Sequence, residues 1–200
     1  MEVTVNIKIL LLTIFMMFVS AASSADKLLH ETLYKAGSSS NKEHYSTGYD
    51  DEVTYNQVRS AFIQSNSNDL ELTKHAGLMH RSEITNIKGK RLRFSAFIKT
   101  ENVQGWAQLY IRIDGQRHKI YKKREWALLA YAGMYDRPIT GTTDWTQYSV
   151  VLDVPKRGIN MGFGVFLSGS GKVWLNDFQF EVVGNDVPVT NQLADSDNSN

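Results

Sequence analysis

The chain has 200 residues, with 22 Lys and Arg against 21 Asp and Glu, and no cysteine. That length holds one domain with a core large enough to fold without covalent staples. The near-neutral charge gives no global field for nucleic acid, and the missing thiols exclude disulfides and thiol acylation.

Lys8 precedes an apolar run at 9–19, and the small residues Ser20-Ala21-Ala22-Ser23-Ser24-Ala25 follow. The run is short for a membrane span and the small residues suit a processing site. Residues 1–25 therefore read as an export signal cut after Ala25, with Ala22 as the next choice. An uncleaved N-terminal anchor is the alternative; after cleavage no stable membrane insertion is expected. An exported domain without disulfides relies on packing alone, which suits a bacterial periplasm or the external medium.

Residues 26–184 read as one β domain and 185–200 as a disordered polar tail ending Asp195-Ser196-Asp197-Asn198-Ser199-Asn200. The stretch 26–51 is polar, with a short entry strand near 32–36 and then a loop. A β region starts at Val53, with 58–63 its clearest strand. Residues 65–69 form a turn by composition, 70–82 one or two strands, and 86–90 a turn around Gly89. Residues 91–100 alternate Leu92, Phe94, Ala96 and Ile98 inward with Arg91, Arg93, Ser95, Phe97 and Lys99 outward. Gly105 opens a strand at 106–114 whose core face is Ala107, Leu109, Ile111 and Ile113. Its other face shows Trp106, Gln108, Tyr110 and Arg112, and Asp114-Gly115 signals a turn.

Residues 116–132 join a basic run (Arg117, Lys119, Lys122, Lys123, Arg124) to an apolar one at 126–131. A short helix and a long loop over the sandwich both fit. The basic run is either a solvated loop or a surface for anionic glycans or lipid headgroups.

The stretch 133–183 organises the chain. Strands at 145–154, 159–167 and 172–183 are separated by Pro155-Lys156-Arg157-Gly158 and Ser168-Gly169-Ser170-Gly171, a spacing that predicts an antiparallel meander in an all-β sandwich. In the middle strand Met161, Phe163, Val165 and Leu167 face the core, leaving Gly162, Gly164 and Phe166 on the other side. Glycines there weaken a strand unless a neighbouring loop or a ligand approaches closely. The last strand is apolar on both faces at its start and is predicted to begin buried on both sides. Trp145 is predicted to anchor the core, with Asp144 capping a turn.

The frame GTTDW, Tyr148, LDVP, SGSGKVW and the DFQFE ending resembles galactose-binding-like jelly rolls, a fold shared by many carbohydrate-binding modules. More closely, GKRLRFSAFIKTENVQGWAQLYIRIDG with MYDRPITGTTDWTQYSVVLDVP is similar to a bacterial domain found alone or attached to transcription regulators. The resemblance covers residues 33–183 and implies an antiparallel β-sandwich of jelly-roll type. A fold does not by itself carry a function. Two acids are frequent in the last strand of that family; Asn176-Asp177 departs from the pattern, so no calcium site is carried over.

Sugars stack C–H faces on aromatic rings while amides and guanidiniums bond their hydroxyls. Trp106, Gln108, Tyr110 and Arg112 offer that set in register, and Arg93, Phe97 and Phe166 would extend it if they share the sheet. The alternative is that Trp106 and Tyr110 are packing partners covered by 116–132. Tyr135 and Arg137 lie in the entering loop and complete the predicted ligand set; Asp136 and Arg137 equally suit a local salt bridge. The five histidines (His30, His44, His75, His80, His118) lack metal-ligand spacing, the SGSG stretch lacks a nucleophile-elbow frame, and no carboxylate pair suggests glycoside hydrolysis. The expectation is a non-catalytic module, without cofactor or metal, for a carbohydrate or cell-envelope glycan. The alternative is an envelope ligand-sensing or protein-interaction domain, with an envelope protein as partner.

Overall fold

The computed structural model describes residues 33–116, 126–190 and 193–194. The leader expected at 1–25, the basic run and the final residues of the tail lie outside the described residues. The elements are β1 (Tyr34–Ala36), α1 (Ser39–Lys42), β2 (Tyr45–Tyr55), β3 (Val58–Ser65), β4 (His75–Glu83), β5 (Arg91–Gln116), β6 (Trp126–Gly133), β7 (Ile139–Asp153), β8 (Gly158–Ser168), β9 (Lys172–Val183) and β10 (Leu193–Ala194).

Strand β5 serves both layers. Its first half pairs with β7 on one edge and β9 on the other; its second half pairs with β6 and β8. Sheet one therefore runs β10-β6-β5-β8-β4-β1 and sheet two β7-β5-β9-β3-β2. All these pairings are antiparallel, and the fold is the expected all-β jelly-roll sandwich.

The core sits between the layers because the apolar alternation of β5 changes parity midway. Leu92, Phe94, Ala96 and Ile98 point inward at even positions, Ala107, Leu109, Ile111 and Ile113 at odd ones, and all eight are buried. Register shifts between Ile98 and Ala107, with Asn102 at φ +51°, absorb the extra residue. The same device works in β9. Val173 and Leu175 face the core, Asp177 takes φ +49°, and Phe178 then returns inward. Before the switch Val173, Trp174, Leu175 and Asn176 are all buried, so the strand begins covered on both faces as expected.

Five expectations are corrected. The stretch 133–183 is not a meander, because β7, β8 and β9 do not pair with one another among the described residues. Their turns cross between sheets, and turn chemistry reports a reversal without naming the partner. Residues 126–132, expected as helix or loop, belong to strand β6, which pairs along β5 from Tyr110 to Gln116. The polar stretch before residue 51 contains most of β2, an edge strand whose outward positions Ser46, Gly48 and Asp50 hide the alternation of Tyr45, Thr47 and Tyr49. Residues 185–190, assigned by composition to the tail, are tied down: Arg91 donates to the Asn185 and Val187 carbonyls, and Thr190 exchanges bonds with Val151.

The fifth correction is Trp145. The register Phe94↔Val150 and Ala96↔Tyr148 turns Tyr148, Val150 and Leu152 inward, so Trp145 lies on the outer face of sheet two. There it is half-buried beside Tyr55, whose ring stacks on Phe97 at 4.2 Å. On the same face Asp50 accepts bonds from Trp174 Nε1 (2.8 Å) and Lys172 Nζ (3.0 Å). Burial alone would raise the Asp50 carboxyl, but these donors and the Val53 N–H hold it well below the usual carboxylate range.

Phe94→Ala is expected to cost about 3–5 kcal/mol, as core aromatic truncations do. Trp145→Ala should cost only about 1–2 kcal/mol, since part of its area already meets water. Urea unfolding of the two variants checks the order; equal losses would return Trp145 to the core.

Candidate functional site

The second half of β5 fills the core with Ala107, Leu109, Ile111 and Ile113, so period-two geometry sends Trp106, Gln108, Tyr110 and Arg112 to the outer face of sheet one. Across the sheet Gln108 lies opposite Phe166, Tyr110 opposite Gly164, and Arg112 opposite Gly162 and Tyr131. On β4, Phe166 meets Gly77 and Gly164 meets Met79.

These registers assemble a row of rings that runs diagonally across the strands. Tyr110 stacks on Phe166 at 4.2 Å and lies nearly parallel to Tyr131 at 6.0 Å. Tyr135 extends the row beyond Tyr131 at 5.7 Å, and His75 extends it beyond Phe166 at 6.3 Å. Met79, Tyr110 and Tyr131 form a small apolar cluster separate from the main core, with Ala36 and Phe166 packed against it.

Two glycines make the row possible. A Cβ at Gly77 would press the Phe166 ring at 2.9 Å. Gly164 holds φ +152° with its backbone against the Leu78 carbonyl, a conformation and an approach that a side chain would block. Beside Gly162 the space is taken by Arg112 and Met79. The close approach expected at the β8 glycines is thus made by neighbouring strands.

One buried carboxylate fixes two cations next to the rings. Asp114, 3% exposed, accepts from Arg112 Nε (3.1 Å) and Nη2 (2.5 Å) and from Arg81 Nη2 (3.2 Å). Both guanidiniums keep part of their surface in water. The Tyr110 hydroxyl is buried without a hydrogen-bond partner. Burial pushes the Tyr110 and Tyr131 hydroxyls above the ordinary phenol range, so both stay protonated.

The predicted ligand set is divided by the structure. Phe166 and Tyr135 (56% exposed) join the row, Trp106 flanks it half-buried, and Arg112 borders it. Gln108 and Tyr110 are 3% and 1% exposed, so the open four-residue platform is corrected: Phe166 and Tyr131 close over Tyr110, and the ring carries the row from beneath. Tyr131 belongs to the segment that the packing alternative named as a cover. Arg93 and Arg137 lie elsewhere, bordering sheet two. Arg93 is paired with Glu181 at 2.7 Å, and Arg137 is bonded to Asp136 and to the Ser149 carbonyl. Phe97 also belongs to that second outer face.

Sequence reasoning missed Tyr131, His75, Arg81 and Asp114. The alternation His75, Gly77, Met79, Arg81 against Ala76 and Leu78 was the available signal for β4; Asp114 was read as part of a turn. Among the described residues no group of three or more His, Asp or Glu side chains is placed to hold a metal ion, and no helix is long and apolar enough to cross a membrane.

No family model matches the chain. Over 147 residues it is 37% identical to the uncharacterized HTH-type transcriptional regulator YbfP of Bacillus subtilis strain 168, covering 74% of this chain and 47% of that protein. The chain spans about half the length of that curated relative, a match compatible with the resemblance to a regulator-attached domain. Among solved structures it is similar to Clostridium thermocellum endo-1,4-β-D-xylanase 10B, crystallised as CBM22-1–GH10 modules with xylohexaose. The TM-score is 0.53 at 14% identity, over 81% of this chain and 28% of that one. At the same TM-score and 10% identity it is similar to a proposed sugar-binding protein from Bacteroides thetaiotaomicron, over 76% and 87% of the two chains. These likenesses define the class by fold: an antiparallel jelly roll of the kind found among carbohydrate-binding modules.

Asp114→Asn should lower stability by about 1–3 kcal/mol, the loss of charge-assisted bonds at a buried acceptor. The cost stays below that of a stranded buried charge because Arg81 and Arg112 can turn to water. Urea melts at pH 7 measure it. A loss below roughly 0.5 kcal/mol, typical of a surface pair, would show that the carboxylate does not organise the two arginines.

Proposed function

We propose that the chain is an exported, non-catalytic module that binds a carbohydrate or cell-envelope glycan across the ring row of sheet one. The observation that carries this reading is the alignment Tyr135–Tyr131–Tyr110–Phe166–His75 on the face turned away from the core, with Arg112 and Arg81 held beside it. Phe166, Tyr135 and Trp106 offer ring surface for sugar C–H faces, while the guanidiniums donate to hydroxyls or carboxylates. Asp114 is engaged by both arginines, which suits holding a ligand rather than moving a proton. The carbohydrate-binding-module fold of the neighbours supports the same reading.

A second reading, an envelope ligand-sensing or protein-interaction domain, is favoured by the regulator relative. Affinity electrophoresis in gels containing xylan, β-glucan or soluble peptidoglycan separates the two. The mature chain is expected to be retarded in at least one gel. Phe166→Ala should weaken that interaction by about 1.5–3 kcal/mol, roughly 10- to 150-fold, because it removes one stacked ring. Tyr135→Ala should cost less, as it sits at the end of the row. Free migration in every gel, with capture of one envelope protein, would favour the second reading.

Export is proposed on Lys8, the apolar run at 9–19 and Ser23-Ser24-Ala25. N-terminal sequencing of protein recovered outside the cytoplasm is expected to begin at Asp26; an intact Met1 on a cytoplasmic product would refute it.

A further inference from the structure

Sheet two carries a different surface on its own outer face. Two adjoining clefts of about 350 and 370 Å³ share Arg93 and Ser149. One runs over Ser95, Gln147, Gln179 and Glu181; the other continues past Arg137 toward Val187–Thr190. The registers Arg93↔Val151, Ser95↔Ser149, Arg93↔Glu181 and Ser95↔Gln179 lay this floor across β7, β5 and β9.

The chemistry of the lining is specific. Its charges close on themselves, Arg93 with Glu181 at 2.7 Å and Arg137 with Asp136 at 3.0 Å. In the cleft over Ser95 what remains is amide and hydroxyl, groups that both donate and accept, while the cleft past Arg137 is also walled by Val151, Val187, Pro188 and Val189. Such a groove has no net charge to attract an anion or a cation, and it matches a neutral ligand that presents donors and acceptors at close intervals. One step further along the same face, Phe97 lies opposite Gln147 and Asn176, stacked with Tyr55 and close to Trp145. A polar groove therefore leads onto half-buried ring surface.

We propose that this groove is a second binding face, for a neutral oligosaccharide, on the sheet opposite the ring row. It extends the glycan-binding reading to another face, but it stands on different residues. The test is hydrogen-exchange mass spectrometry on the mature chain with cellohexaose and xylohexaose as probes, and a galacturonate oligomer as the charged control. Expected is protection of residues 145–151 and 179–181 by a neutral probe. That protection should survive Phe166→Ala and weaken at least tenfold in the Gln147→Ala/Gln179→Ala double variant. Both glutamines are exposed, so the variant is expected to keep its fold; an unchanged melt confirms this. A single Gln179→Ala change, with a smaller loss, serves as the second variant.

Protection confined to 106–112 and 166, and abolished by Phe166→Ala, would overturn the groove while leaving the ring row standing. Protection at the groove with none at the row would do the reverse. Absence of protection by either neutral probe, or tighter binding of galacturonate at the groove, would overturn the proposal.

Discussion

Everything in this sandwich hangs from β5. A strand of 26 residues borders four other strands, two on each edge, and must present apolar side chains to one core along its whole length. Strict period-two alternation would send one half of it the wrong way as the strand passes from sheet two to sheet one. The irregular stretch between Ile98 and Ala107 solves this by changing parity, so that Phe94 and Leu109 reach the same interior. Thr100 and Val103 stay buried through the bend, and the Thr100 hydroxyl is bonded to the Gly141 carbonyl and to Thr143. The polar atoms exposed by a broken ladder are satisfied locally, as buried backbone irregularities require.

Because β5 is common to both layers, the residues it turns away from the core form two unlike surfaces. In sheet one they are Trp106, Gln108, Tyr110 and Arg112, large side chains that include two aromatics, and the glycines of β8 and β4 let the rings lie flat. In sheet two they are Arg93, Ser95, Phe97 and Lys99, bordered by the amides and hydroxyls of β7 and β9. The first surface suits stacking; the second suits hydrogen bonding with a ring surface at its end. Single aromatics on a sheet exterior are ordinary. An aligned row beside arginines anchored on a buried acid is a more specific arrangement.

The ring row also shows how a surface becomes rigid. Tyr110 is almost fully buried although it lies outside the main core, and its hydroxyl has no partner. An unbonded buried hydroxyl costs free energy, and the stack with Phe166 and Tyr131 offsets it by excluding water from the ring faces. Rotamers locked in this way lose little freedom when a ligand arrives, which lowers the cost of association.

The sequence by itself determined the class of fold, most strand positions and the inward faces of β5 and β8. Those features are written in local alternation and in Pro, Gly and Ser turns, which each strand carries alone. It also placed Phe166 and Tyr135 among the candidate residues. It did not show β2 or β6: β2 is an edge strand with polar outward positions, and β6 follows a basic run that masks its pattern. Only the tertiary structure decided that β7, β8 and β9 alternate between sheets, that Trp145 lies outside, and that Arg93 and Phe166 belong to opposite faces. It alone brought Tyr131, His75, Arg81 and Asp114 to the row. Pairing register between strands distant in sequence is set by how two layers close on one core, and no short-range pattern encodes it.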